Sequence, residues 1–357
     1  MKIFQGNIVN LKTPFMGRVD CIRADESGTS YLVSGKRHPI LARTGNPVIG
    51  SNISSGWYRF ENIDLDTGDI IIVCDDGKMQ VVYSSSSSEN SLFLTSRCNH
   101  KCVMCAQPQI EPGNIYYDEA KKIIDLLEYQ PEALGITGGE PLLYKNLFLD
   151  FFSHASKILP ETFFQILTNG SMLSLKKFTD SVCEINQNTT YCIPIYGDNK
   201  FDHDKIVGNN GAFFKTIQGI YNLALNSAAI EIRVVLFSET IERIVKISEF
   251  LSKNFPFIQH VAIMGIEMVG RASCNSSFYI DISKFHVKLI DTANIFNASN
   301  IPFSFYNIQL CSVPLELHQY CRQSISPWKV RYADKCNSCD LKENCCGIFF
   351  SNTSFVH

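Results

Sequence analysis

Three cysteines fall within the stretch TSRCNHKCVMCAQPQ, residues 95–109, at Cys98, Cys102 and Cys105. Their spacing is C-x3-C-x2-C. Thiols packed this closely are suited to holding metal. A structural zinc ion wants four closed ligands, usually from two C-x2-C pairs. Here the fourth would have to be His100, which lies inside the loop at an awkward spacing. A [4Fe–4S] cube offers another solution. Three thiolates hold three of its irons, and the fourth iron stays open to bind something else. The tight three-thiol loop favours the open cube, with zinc as the alternative.

A second group lies near the far end, in CNSCDLKENCCG at residues 336–347, with Cys311 and Cys321 upstream. Its spacing is C-x2-C-x5-C, and three close thiols plus one more would close a cluster. Zinc would also suit such a set. The chain has 14 cysteines, and five stand alone: Cys21, Cys74, Cys183, Cys192 and Cys274. These are expected as small buried hydrophobes.

The surrounding chain limits the possibilities. Its 357 residues suit one large domain with appendages, and 45% hydrophobic residues allow a sizeable core. The net charge of −3 argues against non-specific nucleic-acid binding, which needs a basic surplus. The N-terminal MKIFQGNIVNLKTPFMG lacks a signal-peptide apolar run, and no stretch approaches the roughly 20 apolar residues of a membrane span. The expectation is a cytoplasmic protein with no membrane contact. Disulfides are disfavoured in that compartment, so clustered cysteines read as metal ligands or redox groups.

The elements that must position these thiols follow from periodicity. Residues 1–83 read as short strands, with a hairpin in DIIIVCDDGKMQVVYS. The serine run at 84–91 reads as a flexible linker and a domain boundary. After it, strand and helix alternate. Strands are expected at SLFLTS, 133–139, 162–170, 189–197, 229–237 and 260–267. Helices are expected at 118–129, 147–159, 175–185, 213–226, 242–254 and 283–298. Six such units predict an α/β fold with a parallel sheet, better suited to an open partial barrel than to a closed eight-fold one. The cysteine loop, TGGE and TNG all sit where strands run into loops, on one rim.

CNHKCVMC resembles the cluster-binding motif of radical S-adenosylmethionine (SAM) enzymes. GGEPLL at 138–143 is similar to their second motif, and TNG at 168–170 to their third-strand loop. The resemblance covers roughly residues 92–310 and implies a partial (β/α)6 barrel, a SAM-chelated [4Fe–4S] cluster and radical chemistry. It implies that Gly138, Gly139 and Glu140 approach the SAM amino group. Asn169 would reach the ribose, and Met104, where the family commonly has an aromatic residue, would contact the adenine. Arg233 is charged among apolar strand neighbours. It is either a ligand of the SAM carboxylate or half of a structural ion pair. MGIEMVGRA at 264–272 resembles the sixth-strand segment behind the adenine, with Gly265 and Glu267 as its candidates.

The C-terminal cysteines resemble a short auxiliary iron–sulfur domain with one further [4Fe–4S] cluster. The resemblance implies Cys336, Cys339 and Cys345 as ligands, with Cys311 favoured as the fourth over Cys321 and Cys346. YNIQLC, SISPWK, the C-terminal cysteine segment and the stretch around His203-Asp204 are together similar to the His-Xaa-Ser system radical SAM maturase (HxsC type). That similarity implies a ribosomally made substrate peptide, a partner maturase and a reductant such as flavodoxin or ferredoxin. The implied layout is a β-rich domain at 1–83, a linker at 84–91, the barrel at 92–305 and an auxiliary extension at 306–357. The N-terminal part is expected to bind peptide or partner by strand addition, or to act as a lid. His203-Asp204 is expected to be a local turn or cap in a loop. The alternative substrate class is a small molecule or nucleobase. A metal-binding scaffold without catalysis is a third reading.

Overall fold

A computed structural model describes residues 64–73, 78–109, 113–326 and 329–355, and before them the strand segments within residues 2–60. The chain divides into two compact units, each discontinuous in sequence. One holds residues 1–94, 116–137 and 146–165, and the other holds 95–115, 138–145 and 166–357.

The first unit contains an eight-stranded sheet built from the N-terminal segments. Its longest strands, Phe15–Asp25 and Gly28–Arg37, pair antiparallel. Ile70–Val73 and Lys78–Tyr83 also pair antiparallel, as the hairpin reading expects, although its turn and Cys74 lie outside the described residues. Phe15, Val19, Val33, Leu65, Ile71, Val73, Met79 and Val81 form the core of this sheet. The serine run is not loose chain. Ser85 donates its N–H (2.8 Å) and its hydroxyl (3.1 Å) to Asp69, and Asn90 closes a turn on Ser84. A carboxylate and an amide supply the partners that a serine sequence alone does not reveal. The helix Lys145–Ile158, in the same unit, buries Phe148, Phe151, Phe152 and Ala155. That is the i, i+3, i+4, i+7 stripe of a helix lying against a sheet.

The second sheet is the predicted α/β architecture. Its strands follow sequence order from Ser91–Phe93 at one edge to Cys321–Arg322 at the other, with parallel pairing throughout the described registers. The sheet is open, with eight strands. Six match the expected strands, and Phe303–Tyr306 and the two-residue Cys321–Arg322 extend it. Strand Ala229–Leu236 alternates strictly. Ile230, Ile232, Val234 and Leu236 are fully buried, and Glu231, Arg233 and Val235 face the more open side. A helix that the periodicity did not reveal, Lys200–Val207, is capped by the Asn199 side chain, which accepts from the Phe201 and Asp202 amides. His203 and Asp204 therefore lie on a helix and not in a loop. Asp204 caps the next helix, accepting from Gly211 N–H at 2.6 Å and Phe213 N–H at 2.7 Å. Of the isolated cysteines among the described residues, only Cys192 is buried. Cys21 and Cys274 are exposed and Cys183, on the helix Lys176–Ile185, is half-buried, because these positions fall off the buried faces of their elements.

Candidate active site

Every site residue expected from the sequence lies in the second unit. The cysteine loop is closed at its base by a bridge between Thr95 and Ile115. Thr95, fully buried, donates its hydroxyl to the Asn114 carbonyl at 2.8 Å. Farther along, the Lys101 and Val103 amides donate to the Val207 and Ile206 carbonyls at 2.8 and 2.9 Å. These carbonyls end a helix and have no partner within it, so the helix terminus becomes a clamp for the loop. Gly208 follows at φ +61°, where an added Cβ would stand 2.9 Å from the Lys101 carbonyl oxygen. Met104 is buried with Tyr196, Ile206, Phe237, Ile266 and Met268, so its side chain anchors the loop in apolar packing.

The glycines of GGE are required by this loop itself. A Cβ on Gly138 would stand 2.7 Å from the Thr95 carbonyl oxygen, and one on Gly139 would collide with the Arg97 carbonyl. The two segments are joined by Gly139 N–H to Thr95 at 2.6 Å and Glu140 N–H to Arg97 at 2.8 Å. Glu140 is fully buried, and its carboxylate accepts from the Thr168 hydroxyl (2.6 Å), Asn169 N–H (2.7 Å) and Leu142 N–H (3.0 Å). It is the brace between the second and third strand-end loops. Burial pushes its carboxyl up to about 6, against the pull of these three donors.

Asn169 extends the brace to the first thiol. Its amide nitrogen donates to Asn99 Oδ1 at 2.8 Å and lies 3.8 Å from Cys98 Sγ, which also accepts His100 N–H at 3.3 Å. Ser171 links Asn99 and Asn169 at 2.8 and 2.6 Å, and Asn209 holds the Asn99 carbonyl at 3.0 Å. Donors of this kind to a cluster sulfur tune its potential. Burial pushes the Cys98 thiol up to about 12, with the Glu140 and Cys105 charges adding to it. Burial and the neighbouring thiols push Cys102 to about 12 as well. Buried thiols of this kind ionise once a cation binds them.

His100 is 3% exposed, and both of its ring nitrogens lack a partner among the described residues. Burial lowers His100 and His203 to about 4, so both are neutral near pH 7. Arg233 forms an ion pair with Glu231 at 2.7 Å, and Glu231 also meets His260 Nδ1 at 3.0 Å. Burial would raise Glu231, but His260 and Arg233 outweigh it and lower the carboxyl to about 2. Gly265 admits the Asn307 carbonyl, 2.5 Å from where a Cβ would sit. Glu267 pairs with Lys329 at 3.0 Å. Beside it Asn352 clamps the sixth-strand loop, donating to the Ile266 carbonyl and accepting from Met268 N–H, both at 2.8 Å.

The C-terminal thiols form a looser set. Cys336 and Cys345 are half-buried, and Cys339 and Cys311 are exposed. A hydrogen bond from Cys346 lowers Cys345 to about 5, helped by the Gly347 and Leu310 amides, while Cys346 itself is raised. Cys321 lies within electrostatic reach of Cys345. Cys311 adjoins Leu310, so both upstream candidates border the group. Pro327 and Trp328 of SISPWK lie outside the described residues. Among the described residues, no three His, Cys, Asp or Glu side chains converge on a single-ion site. A cube differs from a single ion in placing each thiolate on its own iron.

Asn99, Thr168, Ser171, Arg271 and Asn352 were not evident as site residues. Thr168 opens TNG, Ser171 follows it, Asn99 lies between Cys98 and Cys102, and Arg271 lies in the sixth-strand segment, so these four had a local marker; Asn352 had none.

Residues 92–251 match the family model of the Radical SAM superfamily. The chain is similar to a GTP 3′,8-cyclase from Petrotoga mobilis, with 23% identity over 58% of this chain and 65% of that protein. It is also similar to an AdoMet-dependent heme synthase from Methanosarcina barkeri, with 26% identity over 47% and 48%. It thus spans less than two thirds of either relative. Among solved structures, Streptococcus suis SuiB bound to S-adenosylmethionine matches with TM-score 0.54 and 15% identity, over 74% of this chain and 73% of that one. SuiB bound to precursor peptide SuiA matches with TM-score 0.50 and 14% identity, over 63% and 49%. The family match covers less than half of the chain, and the solved structures share its fold over the stretches given. No helix among the described residues is long and apolar enough to cross a membrane.

Proposed function

We propose that this protein is a radical SAM enzyme that modifies a ribosomally made peptide, as a maturase of the His-Xaa-Ser type. One observation carries the reading: the three-cysteine loop is locked to the GGE segment and, through Glu140 and Asn169, to the TNG loop. When bound there, the cluster and SAM supply reductive cleavage of SAM to a 5′-deoxyadenosyl radical, which takes a hydrogen atom from the substrate. The chain's own residues hold and orient. Cys98, Cys102 and Cys105 release their thiol protons to bind iron. Gly138, Gly139, Glu140 and Asn169 shape the wall toward the SAM amino group and ribose. Arg233, already paired with Glu231, would share its guanidinium with the carboxylate, and Met104, Gly265 and Glu267 would back the adenine. Cys336, Cys339, Cys345 and one upstream thiol hold an auxiliary cluster. An external reductant, a flavodoxin or ferredoxin, supplies the electron, and a partner maturase acts alongside.

The peptide substrate is supported by the cysteine-rich segment beyond the barrel and by the fold shared with SuiB, whose structure holds a precursor peptide. The names of the two curated relatives favour a second reading, a small molecule or nucleotide as substrate. Anaerobic incubation with SAM, reductant and a peptide carrying His-Xaa-Ser repeats, followed by mass spectrometry, separates them. The expected result is a mass change on the peptide. An unchanged peptide alongside SAM cleavage would move the substrate to the second class.

A further inference from the structure

The loop after the sixth strand reaches the cysteine loop through a glycine. Gly270 has φ +59°, and a Cβ there would stand 2.6 Å from the Ala106 carbonyl oxygen and collide with that of Cys105. The absence of a side chain lets the two backbones touch. Arg271 then uses that proximity twice. Its backbone N–H donates to the Cys105 carbonyl at 2.9 Å, and its Nη1 donates to the Cys102 carbonyl at 3.3 Å. The Cys102 carbonyl also accepts Cys105 N–H at 3.3 Å, closing the turn that spaces the second and third thiols. Ala272, fully buried in the apolar cluster that contains Met104, fixes the backbone on the other side of Arg271.

We propose that Arg271 is a positioning residue of the three-cysteine loop. It fixes the Cys102–Cys105 turn and places a permanent positive charge beside it, which favours the reduced state of a cluster bound there. Reduction adds one electron, taken from an external donor, and so adds negative charge that a nearby cation stabilises. A guanidinium stays charged across the working pH range, so this influence does not switch off. The inference rests on the cluster reading proposed above.

The test uses the full chain with Arg271→Gln and Arg271→Lys. Hydrogen exchange before reconstitution reports the turn, and iron content with a redox titration of the reconstituted protein reports the charge. In Arg271→Gln, exchange across residues 102–106 should quicken about tenfold, the effect of losing one charge-assisted hydrogen bond. Iron content should hold, and the midpoint potential should fall. Arg271→Lys keeps the charge but not the reach, so exchange should quicken while the potential stays near wild type. Wild-type exchange and wild-type potential in the Gln variant would overturn the proposal. Should that variant hold no iron, the Lys variant decides, and wild-type exchange there overturns it. A wild-type protein that binds no iron would defeat the proposed function, while the exchange comparison would still decide on Arg271.

Discussion

The two cysteine-rich regions are held by different means. The loop carrying Cys98, Cys102 and Cys105 is clamped by a helix terminus, by the backbone of GGE, by the Asn99–Asn169–Ser171 network and by Arg271. The C-terminal group rides on the short 3-10 turns Asp334–Ser338 and Lys342–Asn344, neither of which buries a residue. A loop clamped from several sides has its shape before metal arrives, whereas a set on exposed turns takes much of its order from the metal. Under the function proposed above, that division is useful: the centre proposed to make the radical would sit in a rigid loop, and the proposed second centre would be free to adapt to a substrate.

The largest effect that would sharpen this contrast comes from the thiols themselves. Cys98→Ala or Cys105→Ala should abolish 5′-deoxyadenosine formation, yet leave hydrogen exchange across residues 95–109 nearly unchanged, because the protein and not the metal shapes the loop. Cys336→Ala should do the reverse. Iron should fall from about eight to about four per chain, exchange across 330–349 should rise, and SAM cleavage should continue uncoupled from peptide modification. If both substitutions loosen their surroundings equally, the contrast is broken.

Glu140 gives a smaller, pH-dependent effect. Its folded carboxyl titrates at about 6 against an ordinary 4.5, so the native state binds the extra proton between those values. Its contribution to stability is present in full below about 4.5 and is lost as pH rises through about 6, amounting to about 2 kcal/mol. The stability advantage of wild type over Glu140→Gln, measured by denaturant unfolding, should therefore shrink by about that much over this window. A difference flat with pH would contradict the burial argument. The smallest expected effect is at Asn352. Removing its two hydrogen bonds to the 266–268 loop in Asn352→Ala should weaken SAM binding by about tenfold, with iron content intact. An equilibrium titration giving unchanged affinity would separate the C-terminal turn from the SAM site.

Much of this was legible in the sequence. The six strands and six long helices were visible because amphipathic stripes and alternation report burial directly. The helix Lys200–Val207 was not visible. It is only eight residues long, barely two turns, and its start depends on the Asn199 cap. GGE was legible as a motif, but the reason for its glycines was not, since their steric partner is the backbone at 95–97. The hydrogen-bonding roles of Asn99, Ser171 and Asn352 were silent for a similar reason. Polar residues in loops acquire roles from what folds against them, and a single sequence carries no trace of that partner. The hydrogen bonds that hold the serine run were not legible, because Asp69 lies 16 residues before Ser85 in the chain and the turn is closed by Asn90 within the run.

The most direct test is the simplest assay. The anaerobically reconstituted wild-type protein, reduced with dithionite and given SAM alone, should form 5′-deoxyadenosine. Its electron paramagnetic resonance should show a reduced [4Fe–4S] signal that changes when SAM is added. The Cys102→Ala protein run beside it should form none. Wild-type protein that carries its irons and forms no 5′-deoxyadenosine, or a Cys102→Ala protein that forms it at the wild-type rate, would contradict the account.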